Sequence, residues 1–243
     1  MKVSDITNNV ISDEKLIKLL TTDYSEALNK FQKGFMIFKG FDSTTKSDTP
    51  LLLSPIKNRR SANTNNYYTL WLNNHPDWQA FPPRNVIVTS NYEYSKEFGA
   101  PFLIFPKNGT EIGICPEFDF WMSFRSTVEA GQLVEEISSL LKKSLGYMND
   151  PKSYEEMLTR FKKFDSLEDK QEYLNDSYFP QKYINIILKD GLYGLFKLYF
   201  VPDDFELTSI EKFKIKGDHE LWFDNKFIAV RHDIDTMAFL HDL

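Results

Sequence analysis

The sequence contains only one cysteine, Cys115, among its 243 residues. A disulfide framework is therefore excluded, and a reducing compartment is the expected environment. The longest apolar stretches, such as 51–53 and 102–105, are far too short to cross a bilayer. The first residues contain no apolar core of the kind that a signal peptide needs. We therefore expect a cytoplasmic protein with no membrane partner.

Signatures of several common enzyme classes are also absent. The chain has no P-loop, no GxGxxG, no HExxH and no GxSxG nucleophile elbow. Cys115 lies in an apolar segment, which favours a buried thiol over a nucleophile. Several residues of metal-binding type lie close together near the C-terminus, namely His232, Asp233, Asp235, His241 and Asp242. Polar residues at a chain end are usually solvated, and we predict no metal site.

Aromatic and apolar residues are abundant. Hydrophobic residues make up 42% of the chain and aromatic residues 15%, a composition that argues against disorder. A chain of this length can bury a large core without disulfides or metal. The net charge of −6 gives no electrostatic reason to expect bulk nucleic-acid binding.

Hydrophobic spacing predicts an α+β fold. Residues 13–31 have helical spacing, with an interruption near Thr21 and Thr22. The polar segment 42–66 predicts a long loop. Helical spacing of apolar residues predicts further helices at 127–145, 152–163, 167–175 and 181–189. Short apolar runs predict strands at 35–38, 86–88, 102–105, 111–115, 195–201, 213–215, 220–223 and 227–230.

These patterns divide the chain into three parts. Residues 1–125 form the N-terminal part of an α+β core in this interpretation. Residues 126–190 form a helical insertion. Residues 191–243 supply the C-terminal strands that complete the core.

Three short segments combine strand ends with polar residues. Phe38-Lys39-Gly40 ends the first predicted strand, and Thr89-Ser90 ends another that leads into a helix at 92–98. Glu220-Leu221-Trp222 opens a late strand, two residues after Asp218. In this order the segments resemble the mono-ADP-ribosyltransferase superfamily, which splits NAD between nicotinamide and ribose. That family has an aromatic-Arg-Gly strand, a Ser-Thr-Ser strand followed by a helix, and a late strand bearing a glutamate.

The resemblance implies a split β-sheet core of the ADP-ribosyltransferase-like type, carrying the helical insertion. It implies that the Glu220 carboxylate stabilises the oxocarbenium-like charge that develops on the ribose. Ser90 matches the serine that orients this carboxylate. Asp218 stands where the family often has a second acidic or amide residue that helps to choose the acceptor side chain.

The same resemblance implies an NAD site. Lys39 would neutralise the diphosphate, and Gly40 would let backbone amides approach the nicotinamide amide. Thr89 belongs to the same group of expected NAD-binding residues. Tyr92 and Phe98, with Phe102 as a further candidate, supply rings on which nicotinamide can stack.

Two departures from the family pattern stand beside these matches. Lys39 replaces the arginine, which removes bidentate phosphate geometry. Asn91 replaces the last serine of the triplet. Each motif residue also has an ordinary interpretation, because Lys39 and Gly40 can end a strand, Thr89 and Ser90 can cap a helix, and Glu220 can be an edge-strand charge.

The expected function is transfer of ADP-ribose from NAD to a macromolecular acceptor, with a protein favoured over a nucleic acid. The alternative is a catalytically inactive binding or interaction protein on the same scaffold. Two further segments, 60–64 and 115–121, resemble parts of uncharacterised proteins of large bacteriophages. That resemblance implies a phage-encoded protein that acts in the cytoplasm of its host.

Overall fold

The structure is a computed structural model that describes residues 10–41, 49–57, 72–124, 166–176, 181–190 and 200–243, with Gly194 and Lys197. The chain divides into two compact units. The first comprises residues 1–57, 81–120 and 204–243, and the second comprises 58–80 and 121–203. Among the described residues, every strand belongs to the first unit.

The first unit is built on an antiparallel sheet. Its strands are β1 (Phe38–Phe41), β2 (Leu51–Leu53), β3 (Val86–Thr89), β4 (Ala100–Pro106), β5 (Glu111–Ile114), β6 (Glu206–Ser209), β7 (Glu220–Phe223) and β8 (Phe227–Arg231). They lie in the order β2-β8-β4-β1-β3-β7-β5-β6.

The strand pairing is shortest in the middle of the sheet. Strands β1 and β4 pair over four residues, as do β3 and β7, whereas β1 and β3 share the single pair Phe38–Thr89. The sheet therefore consists of two four-stranded halves that are joined at one position. This junction lies at the ends of β1, β3 and β7.

Helices occur in both units. In chain order they are α1 (Asp13–Thr21), α2 (Ser25–Gln32), α3 (Tyr92–Lys96), α4 (Leu167–Asp176), α5 (Gln181–Asp190) and α6 (Ile234–His241). Side-chain oxygens cap several N-termini, since Ser12 accepts from Lys15 N at 3.3 Å and Asp233 accepts from Thr236 N at 2.8 Å.

The core of the first unit lies between the sheet and helices α1, α2 and α6. Leu16 and Leu20 of α1, Phe31 of α2 and Leu240 of α6 are all buried in it. The rings of Phe31 and Phe105 lie 5.8 Å apart. Burial of these side chains supplies the main stabilisation of the unit.

The second unit contains α4, α5 and two short 3₁₀ helices, Pro76–Trp78 and Trp121–Ser123. Its described core includes Trp78, whose indole N–H donates to Phe200 O at 2.7 Å. The ring of Phe200 lies 5.0 Å from that of Phe124. Contacts among Trp78, Phe124 and Phe200 therefore stabilise the described part of this unit.

The α+β class predicted from hydrophobic spacing is confirmed. The interruption of the first helix falls where it was expected, because α1 ends at Thr21. Strands β3, β4, β5, β7 and β8 match their predicted runs to within two residues at each end, and α4 and α5 match the helices predicted at 167–175 and 181–189. The helices predicted at 127–145 and 152–163 lie outside the described residues.

Three strand predictions and one loop prediction need correction. β1 begins at Phe38, where the predicted run 35–38 ends, and β2 lies inside the predicted loop. The strand predicted at 213–215 is wrong: a turn follows β6, in which Phe213 N donates to Ser209 O at 2.9 Å. Within 195–201 the described residues are Lys197, Phe200 and Val201, and none of them lies in the predicted strand, since Lys197 is helical. Apolar runs alone do not distinguish a short helix from a strand.

Gly113 allows the indole of Trp222 to lie across β5. The two residues are register partners on β5 and β7, and a Cβ placed on Gly113 would overlap the six-membered ring of the indole. The indole N–H donates to Pro82 O at 2.8 Å, so the ring cannot turn aside without losing this bond. The glycine is therefore required by its neighbour and not by its own backbone angles.

We expect Gly113→Ala to lower the free energy of unfolding by about 1–3 kcal/mol, because the added methyl group overpacks a fixed ring. Chemical denaturation measures this loss. Glu111→Ala on the same strand is the matched control, because Glu111 is exposed and its replacement should change stability by less than about 0.5 kcal/mol. Equal stability of the two variants would contradict the assigned packing.

Candidate functional site

The three motif segments lie side by side in the sheet. Phe38 of β1 pairs with Thr89 of β3, and Thr89 pairs with Glu220 of β7. Directly paired residues of antiparallel strands carry their side chains on the same face. The fold thus brings into one row three segments that are far apart in the sequence.

Glu220 opens β7 with a buried carboxylate, the residue being 8% exposed. Its Oε1 accepts a hydrogen bond from Arg84 Nη2 at 2.7 Å, and its Oε2 accepts from Phe120 N at 3.3 Å. The backbone N–H of Glu220 also donates to Glu117 O at 3.1 Å. Both carboxylate oxygens therefore have partners within the protein.

Arg84 is the partner that the sequence analysis missed. Its side chain is 5% exposed, and its guanidinium carbon lies 3.5 Å from the centroid of the Phe120 ring and 4.9 Å from that of Trp222. An aromatic surface beneath a planar cation adds to the ion pair. The available signal was a lone arginine between Pro83 and the apolar run that becomes β3.

Ser90 binds the backbone that precedes Glu220. Its Oγ donates to Gly217 O at 2.8 Å and accepts from His219 N at 2.9 Å, and its own N–H donates to His219 O at 3.0 Å. Thr89 Oγ1 also donates to His219 O, at 3.3 Å. These hydroxyls hold the segment that leads into β7, and within it Asp218 is exposed.

Lys39 and Gly40 have structural partners as well. Lys39 Nζ donates to Ile87 O at 2.6 Å and so links β1 to β3. A Cβ on Gly40 would overlap Ser95 O and approach the backbone and Cβ of Phe98 to 2.8 Å. The missing side chain of Gly40 thus lets α3 and the residues after it lie directly against β1.

The expected nicotinamide-stacking rings are in different environments. The ring of Tyr92 lies 4.5 Å from the ring of His232. Lys96 Nζ lies 4.4 Å from the centroid of the Tyr92 ring. Phe102 is 1% exposed and belongs to the core, whereas Phe98 is 43% exposed. Of the three, Phe98 is the one with a substantial surface available to a ligand.

Phe98 belongs to a group of three rings, Tyr94, Phe98 and Phe118, that we call the aromatic cluster. The Tyr94 ring lies 5.2 Å from the Phe98 ring and 5.6 Å from the Phe118 ring, in T-shaped contact with both. Burial raises the pKa of Tyr94 to about 12, and the charges of Asp119, Glu220 and Glu97 act in the same direction. The Tyr94 hydroxyl is therefore protonated at neutral pH.

Comparison with known proteins adds no relative. No protein-family model matches the sequence. Neither a curated protein nor a solved structure matches it.

Two searches of the described residues complete the description of the site. In this part of the chain, no helix combines the length and apolar character needed to cross a membrane. No group of three or more histidine, cysteine, aspartate or glutamate residues is arranged there to hold a metal ion.

Removal of either partner of the Arg84–Glu220 pair should destabilise the protein strongly. We expect Arg84→Met and Glu220→Gln each to lower the free energy of unfolding by about 3–5 kcal/mol, because each leaves a buried polar or charged group without its partner. In the double variant the loss should be well below the sum of the two single losses. Chemical denaturation of the four proteins measures the coupling.

The chain offers a matched control for this cycle. Glu93 and Lys96 form an ion pair of 2.8 Å with side chains 75% and 44% exposed. Its removal by Glu93→Gln should change stability by less than about 0.5 kcal/mol. A loss for Glu220→Gln no greater than that for Glu93→Gln would contradict the structural role of the buried pair.

His232 should make stability depend on pH. Burial against Tyr92 and Phe38 lowers its pKa, with Lys96 acting in the same direction and Asp233 opposing it. The folded protein therefore binds a proton at His232 less readily than the unfolded chain, whose histidine titrates near about pH 6.5. Stability should fall as the pH drops below about 6.5.

His232→Phe should reduce this dependence, because it keeps a ring in place and removes the proton-binding site. Denaturation at about pH 7.5 and about pH 5.5 compares the two proteins across the expected window. An unchanged loss of stability in His232→Phe would mean that other groups cause the acid sensitivity.

Proposed function

We propose that this chain is a binding protein built on an ADP-ribosyltransferase-like arrangement of strands, in which the motif residues maintain the scaffold and do not cleave NAD. The observation that carries the proposal is the Arg84–Glu220 ion pair of 2.7 Å, whose side chains are 5% and 11% exposed. The proposed role is interaction with another macromolecule, and a protein is the favoured partner.

Catalysis would require Glu220 to leave its present partners. A carboxylate that stabilises positive charge on a ribose must approach that sugar, whereas both oxygens of Glu220 accept hydrogen bonds from Arg84 and Phe120. Breaking a buried pair costs about 3–5 kcal/mol. Added to an activation barrier, that cost slows a reaction by about 10²–10⁴-fold.

The other motif residues support the same proposal. The Lys39 ammonium group donates to Ile87 O, and the hydroxyl of Ser90 bonds to the backbone of Gly217 and His219. The space beside Gly40 is filled by Ser95 and Phe98. Each of these contacts joins neighbouring strands or packs α3 against the sheet, which is what a scaffold requires.

A second candidate function is transfer of ADP-ribose from NAD to a protein or nucleic-acid acceptor. The register row of Phe38, Thr89 and Glu220 favours it, because it joins the three motif segments in the order the family resemblance implies. In this candidate Glu220 is the catalytic carboxylate, Ser90 positions it, and Asp218 faces the acceptor. Lys39, Gly40, Thr89 and the rings bind NAD in the host cytoplasm.

Incubation with labelled NAD and a bacterial lysate distinguishes the two candidates. For the binding protein we expect the wild type to release no more nicotinamide and to transfer no more label than Glu220→Gln does. A purified NAD glycohydrolase serves as the positive control. Turnover by the wild type that disappears in Glu220→Gln would overturn the proposal in favour of the transferase.

The same variant separates the candidates without an acceptor. A scaffold role predicts that Glu220→Gln is strongly destabilised, because Arg84 loses its carboxylate. A purely catalytic role predicts an intact fold and a decrease in kcat of about 10²–10³-fold. Thermal unfolding of the variant, measured beside its NAD turnover, gives both quantities.

A further inference from the structure

The aromatic cluster exposes two phenylalanine rings to solvent. Phe98 and Phe118 are 43% and 42% exposed, more than any other phenylalanine among the described residues. Both rings pack nearly perpendicular to Tyr94, at interplanar angles of 86° and 84°. At these exposures both outer rings keep aromatic surface open to solvent.

The backbone beneath the cluster is held by hydrogen bonds. Phe98 follows α3, and its N–H donates to Ser95 O at 3.2 Å. Phe118 follows Glu117, and the carbonyl of Glu117 accepts a hydrogen bond from Glu220 N at 3.1 Å. Because the N–H of Phe120 also donates to the Glu220 carboxylate, the loop is held on both sides of Phe118. The rings are therefore preorganised, which lowers the entropy cost of binding.

The charges around the cluster are negative. The carboxylates of Asp119 and Glu97 act on the Tyr94 hydroxyl, whereas the charge of Glu220, which also acts on it, is balanced by Arg84. The nearby Lys96 ammonium is engaged by Glu93 at 2.8 Å, and Glu97 forms no ion pair with any residue in the described part of the chain. Exposed π faces in a negative field favour a cation over a neutral apolar group.

We propose that the aromatic cluster binds an arginine side chain presented by a polypeptide partner. A guanidinium group is planar, weakly hydrated and able to stack on a ring, whereas an ammonium group is strongly hydrated and compact. The exposed carboxylate of Glu97, the residue before Phe98, provides complementary charge and hydrogen-bond acceptors. This inference rests on the proposed binding function, because it names the chemistry of the partner.

The test is a calorimetric titration of the full chain with a capped peptide containing two arginines. We expect the peptide to bind, and we expect Phe98→Ala and Phe118→Ala each to weaken its affinity by roughly three- to tenfold, the range of a partly exposed cation–π contact. Phe98→Leu keeps an apolar side chain without a π face and should show a similar loss. Thermal unfolding verifies that the variants are folded.

Matched controls make the result specific. Phe239→Ala removes a phenylalanine that is 37% exposed on α6, and it should leave the affinity unchanged. A peptide with citrulline in place of arginine keeps the shape and removes the charge, and it should bind at least tenfold more weakly (about 1.4 kcal/mol). Equal affinity for the two peptides, equal loss in Phe239→Ala, or no arginine-peptide binding would overturn the proposal.

Titration with NAD separates this inference from the proposed function. If NAD binds and Phe98→Ala weakens that binding while the arginine peptide does not bind, the cluster serves a nucleotide and the inference is wrong. NAD turnover by the wild type would overturn the proposed function, whatever the peptide does. Peptide binding without NAD turnover supports both.

Discussion

The ion pair between Arg84 and Glu220 is the constraint on which the rest of the site depends. A buried carboxylate is unfavourable unless it is paired and hydrogen-bonded, and here one oxygen meets Arg84 while the other meets the N–H of Phe120. The pair joins the segment before β3 to the first residue of β7. It therefore fixes the register in which Thr89 and Glu220 lie side by side.

Several neighbouring features depend on this pair. The guanidinium group of Arg84 lies over Phe120 and close to Trp222, and the Trp222 indole in turn occupies the space that Gly113 leaves open. The same carboxylate holds the loop that carries Phe118. The exposed rings thus lie next to a buried polar centre, in which Arg84 and the N–H of Phe120 hold both carboxylate oxygens of Glu220.

The elements that the sequence predicted are those with strong local signals. The apolar runs of β3, β4, β7 and β8 indicated buried strands, whereas the row of Phe38, Thr89 and Glu220 became visible only in the strand register. The partner of Glu220 could not be predicted, because Arg84 lies 136 residues away and no local pattern records such a contact. β2 was missed because three apolar residues in a polar segment are too few for a periodicity, and β6 because an edge strand with exposed residues shows little apolar character.

The most direct test of this account is a crystal structure of the protein determined in the presence of NAD. The account predicts that Arg84 Nη2 remains within hydrogen-bond distance of Glu220 Oε1, with no nucleotide against that carboxylate. A structure in which Glu220 has turned away from Arg84 and contacts the ribose of bound NAD would contradict it.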